Sequence, residues 1–243
     1  SMRDRVAHRL ELERDLRHAL DRGELTVYYQ PVVHLPSGEI SGFEALLRWH
    51  HPTRGTVSPL TFIPIAEETG LITKIGAWVL DEACRQLRVW RTSLPHGQDL
   101  TMAVNISARQ LNDSDLPFMI DRTLWRHRLD GNAICLELTE SMLLDNPDAA
   151  VAILERLRER GLHLAIDDFG TGYSSLAYLR RFPFDRVKID RAFVEPLDQP
   201  ESSEHQLVAA IVAMADALGI TTVAEGVETI EHADQLVSMG CGT

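Results

Sequence analysis

The sequence predicts an α/β fold in which short strands alternate with amphipathic helices around a mainly parallel sheet. Seven apolar runs predict strands at residues 27–34, 40–47, 100–106, 133–138, 162–166, 187–189 and 220–224. Helical patterns lie between most of them, and this alternation favours a parallel sheet. The length of 243 residues suits a single (β/α) barrel, a fold that typically takes about 250. We therefore expect one domain over residues 1–243.

The first two strands are expected to be antiparallel. Residues 34–39 join them, and a connection this short has no room for a crossover helix. Seven strands are one fewer than an eight-stranded barrel needs, and the sequence ends soon after a helical pattern at residues 231–239. The last strand of the barrel is therefore expected to be missing from this sequence.

Several helices have clear sequence boundaries. Asn146 caps and Pro147 opens one of them, and a second is predicted over residues 203–218. Charged residues 4–22 predict an N-terminal helix, either an outer helix of the domain or a linker continuing from an upstream domain. Residues 1–2 resemble the remnant of a purification tag.

The composition narrows the classes of partner. Thirty-six acidic residues against 24 basic ones give a net charge of −12, which argues against a general phosphate-binding surface and against DNA as a partner. The longest apolar run has nine residues, 207–215, whereas a membrane span needs about 20. Three cysteines without a CxxC pair indicate buried, reduced thiols and a cytoplasmic domain.

Polar side chains stand at or near the ends of six predicted strands. They are Glu44, Asn105, Glu137, the pair Asp167 and Asp168, Lys188, and Glu225. The carboxyl ends of strands in a (β/α) barrel converge at one mouth, which is where such barrels carry their chemistry. Burying so many polar groups is costly without a purpose. The pattern therefore predicts one active site built from all of them.

The residue types indicate a metal-dependent hydrolase. Apart from Lys188, these side chains are oxygen ligands, which suit Mg²⁺ or Mn²⁺ better than Zn²⁺. The adjacent carboxylates of Asp167 and Asp168 repel unless cations lie between them, and a metal pair can clamp both oxygens of an in-line phosphoryl displacement. A phosphate ester is the predicted substrate, because bound metal explains how an acidic chain attracts an anion.

Lys188 is one of only two lysines, whereas 22 of the 24 basic residues are arginine. A salt-bridged or solvated lysine is the alternative, but its rarity and strand position favour a functional group. Asp190 shares a strand face with Lys188, so it is expected to orient the ammonium. Glu140 is expected to hold the neighbouring glycine-rich loop. His50 and His51 are predicted to lie in a loop.

Motifs along essentially the whole chain resemble those of the EAL family of cyclic di-GMP phosphodiesterases. In order, they are Tyr29-Gln-Pro31, Glu44-Ala-Leu46 with Leu47-Arg-Trp49, Phe62-Ile-Pro-Ile-Ala-Glu67, Val104-Asn-Ile-Ser107, Glu137-Leu-Thr-Glu140, Asp167-Asp-Phe-Gly-Thr-Gly-Tyr-Ser-Ser175, Val187-Lys-Ile-Asp190 and Ala224-Glu-Gly-Val-Glu228. The resemblance implies a TIM-like barrel with an antiparallel first strand, and hydrolysis of cyclic di-GMP to linear pGpG with two Mg²⁺ or Mn²⁺ ions.

The same resemblance implies individual roles. Glu44, Asn105, Glu137 and Asp167 would ligate one metal ion, Asp167 and Asp168 the second, and Glu225 would complete the set. Lys188 would hold or deprotonate the attacking water. The residues implied to bind substrate are Gln30, Arg48 and Asp190. Glu140 would brace the loop of residues 168–175, through which the family forms homodimers.

The C-terminal end of the sequence departs from the family pattern. The family continues past Gly240-Cys241 through a Gln-Gly-Tyr segment that forms the last strand, and Gly242 replaces a usual acidic residue. Barrel closure and full activity are therefore open.

The alternative function is a receptor that binds cyclic di-GMP without cleaving it and signals through a partner domain. An upstream sensory or diguanylate cyclase domain is a possible partner.

Overall fold

The computed structural model describes residues 2–144, 146–170, 181–198 and 203–243. A curled, mainly parallel sheet runs through it in the order β1-β2-β4-β5-β6-β7-β8, and the short β3 pairs with β2. The strands are β1 (Leu25–His34), β2 (Glu39–His51), β3 (Gly55–Val57), β4 (Thr101–Asn105), β5 (Ile134–Thr139), β6 (His163–Phe169), β7 (Arg186–Ile189) and β8 (Thr221–Ala224).

Helices lie around the sheet. In the described ranges they are α1 (Met2–Ala19), α2 (Pro59–Thr69), α3 (Leu71–Ser93), α4 (Ala108–Leu111), α5 (Leu116–His127), α6 (Ser141–Leu144), α7 (Pro147–Arg158), α8 (Arg191–Val194), α9 (Ser203–Leu218) and α10 (Ile230–Met239). Short 3₁₀ turns occur at Gly97–Asp99, Gly131–Ala133 and Glu195–Asp198. None of the described helices is long and apolar enough to cross a membrane.

All seven predicted strands are present, and the fold matches a TIM-like half-barrel with an antiparallel first strand. β1 and β2 form an antiparallel pair, whereas β2 with β4 and each later neighbour pair is parallel. The prediction of a loop at His50 and His51 is wrong. These residues end β2, because β3 folds back and pairs His50 with Thr56.

The edges of β1 and β8 meet through the last two residues of the sequence. The amide of Leu35, just after β1, donates to the carbonyl of Gly242 at 3.0 Å. The amide of Ala224 in β8 donates to the carbonyl of Thr243 at 2.8 Å. Among the described strands β1 and β8 do not pair directly, so the strand expected between them stays a prediction.

The helix predictions hold where their signals are strongest. The side chain of Asn146 accepts a hydrogen bond from the Ala149 amide, and Pro147 opens α7 as expected. Helix α9 has the predicted bounds of residues 203–218. The N-terminal helix α1 ends at Ala19, three residues before the expected end. It packs on the domain through its buried face, which includes Leu12 and Leu16.

Small residues line part of the inside of the curled sheet. Ala103 in β4, Cys135 in β5 and Ala165 in β6 form a small buried cluster of their own, separate from the main hydrophobic core. Because their side chains are short, they leave space below the carboxyl ends of these strands. That space contributes to the cavity in which the candidate site lies.

Candidate active site

A cavity of about 660 Å³ opens at the carboxyl ends of the parallel strands. Its volume is within the usual range for small-molecule sites, about 300–1,000 Å³. The predicted site residues that line it are Gln30, Glu44, Glu137, Asp167, Lys188 and Glu225. Side chains from β1, β2, β5, β6 and β7, and from the residue after β8, thus reach one volume.

Lys188 occupies the centre of this arrangement. Its ammonium Nζ lies 2.6 Å from Glu225, 3.0 Å from Glu137, 3.2 Å from Asp167 and 3.3 Å from Glu44, measured to a carboxylate oxygen in each case. The side chain of Lys188 is 4% exposed. We call these five residues the carboxylate cluster. Four of its members lie in β2, β5, β6 and β7, and the fifth directly follows β8.

Asn105 ends β4 beside Glu44. Its side-chain amide donates to Glu44 Oε1 at 2.9 Å. The chain after Asn105 is fixed by a capping box at the start of α4, in which Ser107 and Gln110 satisfy each other's backbone amides. This places an amide oxygen donor next to the carboxylate cluster, as the sequence predicts.

A bulge in β6 places two neighbouring carboxylates near Lys188. Ile166 pairs with Val187 and Phe169 with Ile189, so Asp167 and Asp168 together lie opposite Lys188. Asp168 has a φ of +54°, a left-handed conformation that Asp tolerates better than most residues. Its amide donates to Asp167 Oδ1 at 3.0 Å. The bulge interrupts the regular alternation of the strand; Asp167 lines the cavity, whereas Asp168 is exposed beside it.

Electrostatics in the cluster follow from burial and crowding. Burial raises the pKa of Glu137, and the nearby Lys188 offsets this only in part. Burial opposes a charged Lys188, but the surrounding carboxylates outweigh it and raise the pKa of the ammonium. Burial, Asp167 and Asp190 raise the pKa of Asp168. The cluster therefore carries excess negative charge around a lysine that stays protonated.

The other predicted residues are those expected to bind substrate, to orient Lys188 or to hold the glycine-rich loop. Gln30 lies across from Glu44 in the β1–β2 register, and the Arg48 guanidinium lies 5.8 Å from the Tyr28 ring centroid. The expectation that Asp190 orients Lys188 is wrong: Asp190 accepts from the Ala192 amide at 2.8 Å and caps α8. It does so because it follows the last residue of β7 and starts the next helix. Residues 171–175 of the loop expected to contact Glu140 lie outside the described residues.

Several residues that line the cavity were not predicted, among them an ion pair. Arg191 and Glu228 both line the cavity, and their side chains form an ion pair at 2.9 Å. Glu228 belongs to the Ala224–Glu228 motif, which was a usable signal. Nothing in the sequence pattern distinguishes Arg191 from the other arginines, since its position depends on the turn after β7.

The donor set fits a hard divalent cation, because it offers carboxylate and amide oxygens without His or Cys. Within the described ranges no three His, Cys, Asp or Glu side chains form a ready-made ligand group. The ammonium of Lys188 stands between the carboxylates and contacts four of them. The chemistry of the residues therefore agrees with a metal site more closely than their arrangement does.

A family model of the EAL domain matches residues 13–243. The chain belongs to the EAL domain family. This EAL domain is 46% identical over its whole length to a bifunctional diguanylate cyclase/cyclic di-GMP phosphodiesterase, MucR, of Pseudomonas aeruginosa, and covers 35% of that protein. It is 42% identical to the cyclic di-GMP phosphodiesterase PdeR of Escherichia coli over 95% of the chain and 34% of the relative. The chain thus spans about a third of these curated relatives.

Solved structures agree with the fold. A MucR phosphodiesterase in complex with c-di-GMP is 47% identical and superposes with a TM-score of 0.90, covering 96% of this chain and 93% of the other. The EAL enzyme Bd1971, in a form with cAMP and cyclic di-GMP, is 36% identical with a TM-score of 0.92 over 98% of this chain and 64% of the other.

Proposed function

We propose that this EAL domain hydrolyses cyclic di-GMP to linear pGpG with two Mg²⁺ or Mn²⁺ ions at the carboxylate cluster. The observation that carries the proposal is the position of Glu44, Glu137, Asp167 and Glu225 around Lys188 in a cavity of suitable size. Relatives named as cyclic di-GMP phosphodiesterases support the substrate, as does the c-di-GMP complex of the MucR phosphodiesterase.

The charge of the site supports two ions. A fifth carboxylate, Asp168, follows Asp167 in the β6 bulge opposite Lys188, and we include it in the proposed metal site. Five carboxylates and one ammonium leave four net negative charges, and two divalent cations would balance them. Glu44, Asn105, Glu137, Asp167, Asp168 and Glu225 would hold these ions. When bound, such ions polarise a phosphoryl oxygen and acidify water.

The proposed reaction opens one phosphodiester of the ring. A water oxygen forms a bond to phosphorus while the bond from phosphorus to one ribose 3′-oxygen breaks. The attacking water gives up one proton and the leaving 3′-oxygen gains one to become a hydroxyl, so no net proton is consumed. The phosphate stays on the 5′-oxygen of the other nucleotide. The product is a linear dinucleotide with a 5′-phosphate, pGpG.

Lys188 suits a positioning role in this reaction. Its ammonium donates to carboxylate oxygens of Glu44 at 3.3 Å and Glu137 at 3.0 Å, which shows that it is placed as a hydrogen-bond donor within the cluster. An ammonium that is 4% exposed has few orientations and can hold the attacking water or a phosphate oxygen at one place. We therefore assign it to holding the water, one of the two roles that the family resemblance implies.

Gln30 and Arg48 are the proposed substrate-binding residues on the β1–β2 pair. Gln30 lines the cavity across from Glu44, and Arg48 lies two positions beyond Leu46 on the same strand face. Asp190 stays a candidate for substrate binding at the start of α8. The homodimer through residues 168–175 and an upstream sensory or diguanylate cyclase domain also remain predictions.

Product analysis tests the proposal. The domain is incubated with cyclic di-GMP and Mg²⁺ or Mn²⁺, and the products are separated by chromatography. We expect pGpG from the wild type, a loss of at least about 100-fold in Asp167→Asn, and full activity in Asp216→Asn, which removes an exposed carboxylate on α9. Tight binding of cyclic di-GMP with no product under either metal would contradict hydrolysis and favour the receptor.

A further inference from the structure

Tyr28 lies on the same face of the sheet as the candidate active site. In the antiparallel pair of β1 and β2, Gln30 is opposite Glu44 and Tyr28 is opposite Leu46. Residues that face each other across such a pair point to one side, as do alternate residues of a strand. Because Gln30, Glu44 and Leu46 line the cavity, Tyr28 stands on the cavity side, one strand repeat beyond Gln30.

The Tyr28 ring is part of an exposed group of flat side chains. It is 52% exposed although it lies within the sheet. The Arg48 guanidinium lies 5.8 Å from its ring centroid, and the His50 ring lies 5.8 Å away, tilted by 40°. We call Tyr28, Arg48 and His50 the Tyr28 wall. Arg48 and His50 follow Glu44 at even spacing in β2, so they lie on the same face of that strand as Glu44.

Single exposed aromatic residues are common and need no explanation by themselves. The Tyr28 wall differs because of its place. Alternate residues of a strand are about 6.6–6.8 Å apart, so Tyr28 is one such step from the Gln30–Glu44 pair, next to the carboxylate cluster.

We propose that Tyr28 is a substrate-binding residue that stacks against one guanine base of the cyclic dinucleotide, an inference that rests on the proposed function. Tyr28 supplies an exposed π-face, and stacking of bases on aromatic rings tolerates any base. Arg48 beside it donates from Nη1 to the Leu47 carbonyl at 2.9 Å, and its guanidinium lies 5.8 Å from the Tyr28 ring centroid.

Equilibrium binding tests the stacking. Cyclic di-GMP and cyclic di-AMP are titrated into the wild type, Tyr28→Ala and Tyr28→Phe with Ca²⁺ present, after confirming that no product forms. We expect Tyr28→Ala to weaken both ligands by a similar factor of about 5–150, and Tyr28→Phe to stay within about twofold. Unchanged melting temperatures show that the variants are folded, as the exposure of Tyr28 predicts.

Several outcomes would overturn the inference. Wild-type affinity in Tyr28→Ala excludes a contact with the base, and an equal loss in Tyr28→Phe assigns the contact to the hydroxyl. If Tyr28→Ala has no effect when Arg48→Ala is already present, Tyr28 acts only by holding Arg48. If the wild type binds no cyclic di-GMP under any metal, the proposed function fails and the stacking fails with it.

Discussion

Lys188 is the residue on which the proposed site depends. It is one of two lysines in the chain, and its ammonium contacts four carboxylates within 3.3 Å. A compact ammonium fits this enclosure, whereas a guanidinium is larger, planar and directs its donors in a fixed fork. Charge alone is therefore not what the position requires.

We expect Lys188→Arg to lower single-turnover cleavage of cyclic di-GMP by about 100-fold, the cost of a misplaced reacting group, with the dissociation constant changed only a few-fold. The longer side chain keeps the positive charge but displaces the water that Lys188 is proposed to hold. Lys74→Arg is the matched control, because Lys74 is exposed and pairs with Asp21 on the surface, and it should cleave like the wild type. Near-normal cleavage by Lys188→Arg would reduce Lys188 to a source of charge.

For single residues, the sequence predicted which residue types belong to the candidate site better than it predicted the contacts they make. The polar groups at strand ends were identifiable because a carboxylate or lysine stands out against a β-branched apolar run. The left-handed φ of Asp168 was not, since nothing in a pair of aspartates shows that the strand bulges there. Asp190 was misassigned because strand alternation was extended one residue too far, into the cap of α8.

The elements around the site are held by close contacts that the sequence does not display. Gly76 lies within α3, where Ala would be favoured by about 1 kcal/mol, yet a Cβ there would overlap the side-chain amide of Gln110. Gln110 is not free to move aside, because its Oε1 accepts from the amide and hydroxyl of Ser107 at 3.2 and 3.0 Å. This contact fixes α4, and with it the chain that follows Asn105.

Gly76→Ala should therefore destabilise the domain by about 1–3 kcal/mol, as overpacked core substitutions do. In a Gln110→Ala background the overlap disappears, and the same substitution should be neutral or stabilising by up to about 1 kcal/mol. Urea unfolding of the four proteins measures this double-mutant cycle. A stabilising Gly76→Ala in the otherwise wild-type chain would show that the contact is not tight.

Asp185 lies just before β7, and its carboxylate contacts both β6 and α7. It accepts from the Leu164 amide of β6 at 2.9 Å and pairs with Arg158 of α7 at 3.1 Å. Burial acts to raise its pKa, but His163, the Leu164 amide and Arg158 outweigh burial and lower it. A pKa that is lower in the folded state stabilises the fold above the unfolded-state pKa, and this contribution is lost as the pH falls.

We expect Asp185→Asn to lower the free energy of unfolding by about 1–3 kcal/mol at pH 7. The difference in unfolding free energy between wild type and variant should shrink once the pH falls below about 4, the pKa of an unfolded aspartate. Below that pH the unfolded wild-type chain gains the proton first, and the folded carboxyl follows at its lower pKa. Denaturant unfolding of both proteins at pH 7 and pH 3 measures the two differences in free energy. Asp148→Asn is the control, since Asp148 is 86% exposed and its surface ion pair with Arg181 contributes little. An equal difference at pH 7 and pH 3 would contradict the assigned pKa shift.

Across the whole molecule, the fold was predictable because its signals are regular. Apolar runs alternating with capped helices define a (β/α) architecture, and the short link before Glu39 required the antiparallel pair of β1 and β2. β3 escaped prediction because three residues carry no periodic signal. The cavity itself depends on small side chains such as Ala103 and Ala165, whose shared position is set by sheet register.

Binding of Mn²⁺ to the metal-free domain, measured with cleavage of cyclic di-GMP in the same samples, tests the central claim most directly. The account predicts two Mn²⁺ ions per chain, cleavage that rises as both sites fill, no cleavage when Ca²⁺ replaces Mn²⁺, and loss of both binding and cleavage in Glu137→Gln. Undiminished cleavage in excess chelator, or unchanged Mn²⁺ binding in Glu137→Gln, would contradict the assignment of the carboxylate cluster as a two-metal active site.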